Sequence, residues 1–493
     1  MSGQLTDVYH SILTDIAKGL LTVQYSTYVV ASNPFAWEDE EAPPAFTGTQ
    51  ADINELRQNM VVGVKIGTDD IVNVVRRVTW ASNTVYDQWD QTLDMKDLDY
   101  YVINSSSDVF ICLSNNAGIP STTEPTSKTT VPFTLADGYI WKYLYTVSEA
   151  NQTKFGTSDY IPLTANTTVT AAAVRGTIYA YKVANTNVNF FDQEEGLIAG
   201  VITSNTFQIQ NTANAASNTF GGSALYISDG TGVGSLVGVT TSFANASGRY
   251  ITTDTALSLD LTSEYMISPR VTVTGDGVGA KAIAVVQNKS LKSVLSINPG
   301  NNYTYADVTV AINPSFSANA TVQALVSPIT GHGANTNIEL ISKKLAISTR
   351  IEPDVSADLP PGIKYRQVGV IIAPWSPSFV LSNTEVITFA TKMGIASGTF
   401  SNGDVVIGGT SAATGTVYKA NSSQVSVVNV LGSFANSETI TCSSTGQSGV
   451  VNSLNARDAD KNSGQVLYYT NVLPINKSNT SAEQVHIIIN FEG

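Results

Sequence analysis

The sequence predicts a mainly β, multi-domain chain with a few short helices: an α+β parent domain interrupted by β-sandwich-like inserted modules. Three observations carry this. Runs of β-branched and aromatic residues recur between Gly, Asn, Ser and Pro turns along most of the chain, the pattern of half-buried strands. Apolar residues make up 42% and charged residues only 13%, while Tyr 21, Phe 16 and Trp 5 supply anchors, so the chain can build cores and is not disordered. Charge nearly vanishes over 166–335 and 384–455 and returns after each stretch. The chain thus divides into parent segments 1–165, 336–383 and 456–493 and two inserts between them. At about 150 residues per domain, the length agrees with about three domains.

Taken in order, Leu5, Val8, Tyr9, Ile12, Leu13, Ile16 and Leu20 follow helical spacing and predict a first helix. Val23 to Val30 then reads as a strand. The loop after it carries four acids, Glu38 to Glu41, and reads as solvated. A second helix is expected from Asp52 to about Met60, capped by Thr49 or Asp52, with Glu55 placed as in a capping box. Strands follow at Val61–Ile66, Ile71–Val78, Tyr100–Asn104 and Val109–Leu113. The turn Asp137-Gly138 feeds an alternating strand, with Tyr139, Trp141, Tyr143 and Tyr145 on one face and Ile140, Lys142 and Leu144 on the other.

Inside the first insert, five short runs are strands of a sandwich or barrel-like module: 271–274, 282–286, 291–297, 308–312 and 322–326. Pro299-Gly300 marks a turn between two of them. Helix-compatible sequence returns near Ile338, and Tyr365 to Pro374 reads as a buried strand. The second insert repeats itself at an offset of 34: Phe400-Ser-Asn-Gly-Asp-Val-Val-Ile aligns with Phe434-Ala-Asn-Ser-Glu-Thr-Ile-Thr, and Thr414-Gly-Thr-Val with Ser448-Gly-Val-Val. A small β module of two similar halves follows. The last strand, Gln484 to Phe491, needs a partner in an earlier sheet.

The net charge of -14 argues against nucleic acid and anionic membranes as partners, since both demand clustered cations. No apolar run reaches membrane-spanning length. The start, Met1-Ser-Gly-Gln-Leu-Thr-Asp, has neither the basic nor the apolar region of a signal peptide, so synthesis and folding in a cytoplasm are expected. Cys112 and Cys442 lie too far apart to read as a disulfide framework and are expected as small buried hydrophobes.

Chemistry is sparse. Only His10, His332 and His486 exist, far apart, and no Gly-x-Ser-x-Gly elbow accompanies them. Gly275-Asp-Gly-Val-Gly and Gly230-Thr-Gly-Val-Gly lack the spacing and the Lys-Ser/Thr of phosphate loops and read as tight turns. Acids are few inside the inserts, which disfavours a depolymerase. No enzyme, cofactor or metal is expected. Arg76-Arg77 reads as an ion pair or interface contact.

Several separated segments resemble a known family. They are Asn33-Pro-Phe-Ala-Trp, Arg76-Arg-Val-Thr-Trp80, Val109-Phe-Ile-Cys-Leu, Asp137-Gly-Tyr-Ile-Trp-Lys-Tyr-Leu-Tyr, Tyr365-Arg-Gln-Val-Gly-Val-Ile-Ile-Ala-Pro, Ser463-Gly-Gln-Val-Leu-Tyr-Tyr-Thr-Asn and the closing Glu483 to Phe491. In order and spacing they resemble gene product eight, the baseplate wedge subunit of T-even-like contractile-tailed bacteriophages, over roughly 1–165, 335–383 and 456–493. The two inserts depart from the family pattern. The resemblance implies a non-enzymatic virion protein of the tail baseplate, assembled in the host cytoplasm. It would form a homodimer, bridge other baseplate wedge subunits, contact tail-fibre proteins, and help hold the plate together until infection is triggered. Arg76, Arg77, Trp80, Tyr86, Trp89, Tyr139, Trp141 and Arg366 are then the candidate interface or family-motif positions. A receptor- or carbohydrate-binding tail protein is the alternative.

Overall fold

The structure, a computed structural model, describes residues 6–45, 47–185, 192–311, 320–352, 359, 362–478, 480 and 482–491. Leu5 and Ile312, expected at the ends of two elements, lie outside them. The chain is mainly β, with 45% strand against 11% helix. It divides into two compact units, each assembled from separated segments: Met1–Val75, Ala150–Pro162 and Ser342–Gly493 in the first, Arg76–Glu149 and Leu163–Ile341 in the second.

In the first unit, two antiparallel sheets face each other. One runs Val386–Thr388, Met60–Lys65, Thr27–Ser32, Lys364–Ile372, Gln465–Asn476; the other runs Glu483–Asn490, Lys344–Ile351, Ile71–Arg76, Tyr160–Pro162. Val29, Val61, Leu345, Ile347, Val370 and Ile487 fill the space between them. The closing strand pairs Ile487 with Ile347, so the chain's end does return to an earlier sheet. The helix Gln50–Asn59 covers the outer face of the first sheet with Leu56, against Tyr28, Val30 and Ile371. Its capping box uses Thr49 and Asp52, one turn earlier than the Asp52–Glu55 box expected. The first helix, Asp7–Gly19, continues as a π-helical turn, Leu20–Gln24, closed by Tyr25 N–H donating to Leu20 O at 3.1 Å. The strand therefore starts at Thr27, later than Val23, because this extension keeps the chain helical through an apolar run.

The second insert is a closed barrel, ordered Thr391–Ile395, Gln424–Leu431, Thr414–Ala420, Val405–Gly408, Thr439–Cys442, Ser448–Asn455. Both halves contribute three strands at the 34-residue offset. Lys392 faces Ser426 and Ile407 faces Thr441, each residue opposite its own repeat equivalent, so a pseudo-two-fold axis passes through both pairs.

In the second unit, Tyr101–Ile103, Asp108–Ser114, Ile140–Thr146 and Phe133–Thr134 make one antiparallel sheet. Two larger sheets follow. The seven-stranded one begins and ends in Glu194–Leu197 and Gly200–Thr203, consecutive strands joined only by Ile198 and Ala199. Ile198 N–H bonds Ser263 O and Ala199 N–H bonds Gln208 O, so the sheet rolls up around Phe207, Leu225, Ile251 and Tyr265. The six-stranded sheet runs from Ser290–Asn301 to Ile178–Asn185, and Ser296 Oγ donates to Ile178 O at 2.7 Å across these two edges. Ala284, Leu291 and Ile178 lie at its centre.

The partition differs from the predicted blocks in two ways. Residues 76–149 group with 163–341, and their strands pair among themselves in one sheet. The insert at 166–335 holds two rolled sheets where one module was expected. Period-2 alternation identifies a buried face, but not whether that face meets a second sheet or curls onto itself. Pro299-Gly300 is not the expected turn: Pro299 pairs with Ala280 near the end of a strand.

Candidate functional site

Tyr86, Tyr139 and Trp141 form one cluster. Trp141 meets Tyr86 edge to face at 5.8 Å between ring centroids and stacks with Tyr139 at 5.7 Å. All three are buried. Tyr139 Oη donates to Ile119 O at 2.7 Å and accepts from Tyr86 N–H at 3.3 Å. Burial pushes its phenol up to about 12. Tyr86 Oη accepts from Ala81 N–H at 2.6 Å. These three residues lie in their unit's core; of the two readings, interface or family-motif position, burial bears only on the first, since the three rings have almost no exposed surface. Alternation grouped the aromatics of Ile140–Thr146 on one face; it could not say that both faces are covered, with Lys142 and Leu144 also buried.

Asp137 organises the turn before that strand. Its Oδ2 accepts from Thr122 N–H (2.9 Å), Thr123 N–H (3.1 Å) and Ser121 Oγ (3.0 Å), and its Oδ1 from Tyr139 N–H (3.2 Å). Partial burial works to raise this carboxyl, but the hydrogen bonds outweigh it and hold it below the usual range. Gly138 has φ +80°, and a Cβ there would sit 2.4 Å from the Asn116 amide, so the turn requires glycine.

Arg76 is exposed and bonds Asp99 Oδ1 at 2.5 Å and Leu98 O at 3.2 Å. Arg77 is half-buried. Trp80 is half-buried too, its indole N–H reaching Ser121 Oγ at 3.3 Å. Trp89, also half-buried, sets its ring edge-to-face with His332 at 4.9 Å.

Arg366 is buried in the first unit and bonds Glu40 through Nη2 at 2.6 Å and Nε at 3.0 Å, with Nη1 on Pro34 O at 3.1 Å. The guanidinium holds the Glu40 carboxyl below its usual range. One of the four loop acids is therefore a clamp on the Asn33-Pro-Phe segment, not merely a solvated charge. Nothing in the local sequence marks Glu40 among its neighbours.

Sequence reasoning also missed a buried polar cluster. His332 Nδ1 lies 2.6 Å from Glu339 Oε1, Gly333 N–H donates to Glu339 Oε2 at 2.6 Å, and Tyr100 Oη donates to Glu339 O at 2.8 Å. Lys142 lies nearby, its Nζ on Thr130 O at 2.6 Å; burial depresses its amine while Glu339 works in the opposite direction. The His332 and Glu339 side chains are only 5% and 2% exposed. The pair braces the one-turn helix Thr336–Glu339 from its buried side. The available signal was His332 standing between two glycines, both at positive φ.

Among the described residues no three His, Cys, Asp or Glu side chains converge as a metal site. No helix among them is long and apolar enough to cross a membrane. A cleft of about 360 Å³ opens on the six-stranded sheet, lined by Gln91, Thr304, Tyr305, Asp307 and Gln323 among others. Large apolar side chains are also fully presented to water: Phe379 is 83% exposed in the loop after Lys364–Ile372, and Val23 is 79% exposed after the first helix.

No family model matches the chain, and no curated protein matches it.

Proposed function

We propose that the protein is a structural subunit of a contractile-tail baseplate wedge, joining neighbouring wedge proteins and helping hold the plate together until infection begins. The observation that carries this reading is the exposed apolar surface of the first unit, from Val8 to Tyr25 and from Trp375 to Leu381. Surface of this kind marks sites that other proteins cover. The segments that resemble the baseplate family support it further. Tyr365 to Pro374 and Ser463 to Asn471 lie on paired strands, Gly369 opposite Tyr469, and Arg366 of the first ties down the Asn33-Pro-Phe loop.

A receptor- or carbohydrate-binding tail protein is the second reading. The cleft beside Tyr305 favours it, because an exposed ring, a carboxylate and two amides suit a saccharide's apolar face and hydroxyls. Cryo-electron microscopy of purified virions tests both. Density for this chain within the plate is expected; density at a distal fibre tip would replace the first reading by the second, and absence from the virion would overturn both.

A further inference from the structure

A small basic cleft opens where the two larger sheets of the second unit join. The strand Glu264–Ser268 pairs with Ala224–Asp229 in the seven-stranded sheet, and after Pro269 the chain enters Arg270–Gly275 of the six-stranded one. Ser268 is fully buried and donates its hydroxyl to Ala284 O across this junction, so the two walls are held together. The cleft between them has a volume of about 300 Å³, with Arg270 and Lys281 on one wall and Gly238 and Asp254 on the other. Arg270 pairs with Ile283, which stands two residues from Lys281 on the neighbouring strand, so both cations share one face of the sheet.

The insert 166–335 carries only seven Lys and Arg residues, and two of them meet here. Neither is closely paired. Arg270 Nη1 stands 3.9 Å from Asp254 Oδ2, beyond hydrogen-bond reach, and Lys281 pairs with no carboxylate among the described residues. Asp254 is engaged on its own side of the cleft: its Oδ1 accepts from Gly238 N–H at 3.0 Å and from Thr255 Oγ1 at 3.1 Å. Gly238 keeps the space open, because a Cβ there would collide with the Asp254 carboxylate and come within 3.2 Å of Arg270 Nη1.

We propose that this cleft binds the carboxylate-bearing ring of an acidic sugar, a uronate residue. Two cations against one acid leave a single positive charge, which one carboxylate balances; a phosphate dianion would bring a second negative charge against Asp254. The planar fork of Arg270 suits the two oxygens of a carboxylate. Thr255 and Thr272, both exposed at the cleft, and Asp254 Oδ2 offer partners to ring hydroxyls. The volume lies at the small end of ligand pockets and leaves room for one sugar ring. Neither reading above assigns this cleft a ligand, and the cleft beside Tyr305 is lined by other residues, with no cation among them. The site stands on its own geometry, whether or not the chain belongs to a baseplate.

Isothermal titration calorimetry of the full chain with D-glucuronate and D-galacturonate tests the proposal. At least one of them is expected to fill a single site with a dissociation constant of about 1 mM, the affinity that a compact ligand of this size ordinarily reaches. D-glucose, which offers the ring without the charge, should bind at least about tenfold more weakly, and inorganic phosphate likewise. Arg270→Gln and Lys281→Gln should each raise the constant at least about tenfold, since each removes a charged donor. Both side chains are exposed, so thermal melts by circular dichroism should match wild type. Lys292→Gln removes the same charge from the adjoining strand Ser290–Asn301, away from the cleft, and should leave binding unchanged. No binding of either uronate up to about 20 mM, binding that survives both cleft variants, equal binding of glucose or of phosphate, or an equal loss in Lys292→Gln would each overturn the proposal. Virion density decides the assembly reading independently of all of these.

Discussion

Asp137 concentrates four hydrogen bonds on one carboxylate, and the consequence is a pH-dependent turn. An unfolded Asp titrates near 3.9, and the folded group titrates lower. Its stabilisation is therefore complete above about pH 4 and is lost as pH falls through the folded value. Asp137→Asn replaces one accepting oxygen by a donor facing donors. At pH 7 it should cost about 1 kcal/mol, the usual loss for charge-assisted bonds discounted for the group's partial exposure. Urea unfolding of both proteins from pH 7 to pH 3 should show that gap closing below pH 4; a pH-independent gap would reject the assignment. The Asp137-Gly138 turn was legible, because Asp-Gly before an alternating strand has a local mechanism. Glu40 with Arg366, and His332 with Glu339, were not. Which of four adjacent acids meets an arginine more than 300 positions away depends on strand register, which no local pattern records.

Register also decides the barrel of the second insert. Its duplication was legible from aligned residues, but its closure was not. The structure shows why the aligned residues matter. Gly415 and Gly449 are repeat equivalents, and the ring of Phe434 approaches the first to 3.4 Å while the ring of Phe400 approaches the second to 3.3 Å, measured to an added Cβ. Each half thus places its phenylalanine over the glycine of the pair. The barrel's ends meet, since Lys392 pairs with Asn455, and Met393, Val406, Val425, Val427, Ile440 and Val451 fill its own core. Tyr418 and Val428 instead pack outward with the parent core. A fragment spanning 389–457 with Tyr418→Ser and Val428→Thr should therefore fold alone, with one cooperative urea transition. Within it, Phe400→Ala and Phe434→Ala should lower stability by similar amounts, about 3 kcal/mol each. A fragment that binds a hydrophobic dye and unfolds without a sigmoid would show that the barrel needs its parent; unequal losses would break the symmetry argument.

Across the whole chain, composition predicted a discontinuous parent domain with two inserts, and the structure divides the chain into two compact units, each assembled from separated segments. The low-charge islands hold rolled sheets. They could not report that 76–149, rich in Trp and Tyr, pairs its strands among themselves. The polypeptide passes between the two units after Val75, Glu149, Pro162 and Ile341, so neither unit is a continuous stretch of sequence. Yet the apolar cores are separate clusters: Val29, Val61, Leu345 and Val370 in the first unit, and Phe207, Leu225, Ile251 and Tyr265 in the second. Heat capacity should follow the cores and not the chain order, because cooperativity is set by shared burial. Differential scanning calorimetry is expected to show more than one transition. Phe207→Ala removes a fully buried ring from the seven-stranded sheet and should lower only the transition belonging to it, by an amount corresponding to about 3–5 kcal/mol. Val370→Ala in the first unit should lower a different one. A single two-state transition that both substitutions shift equally would mean that the discontinuous segments melt as one body, and the division into separately cored units would be lost.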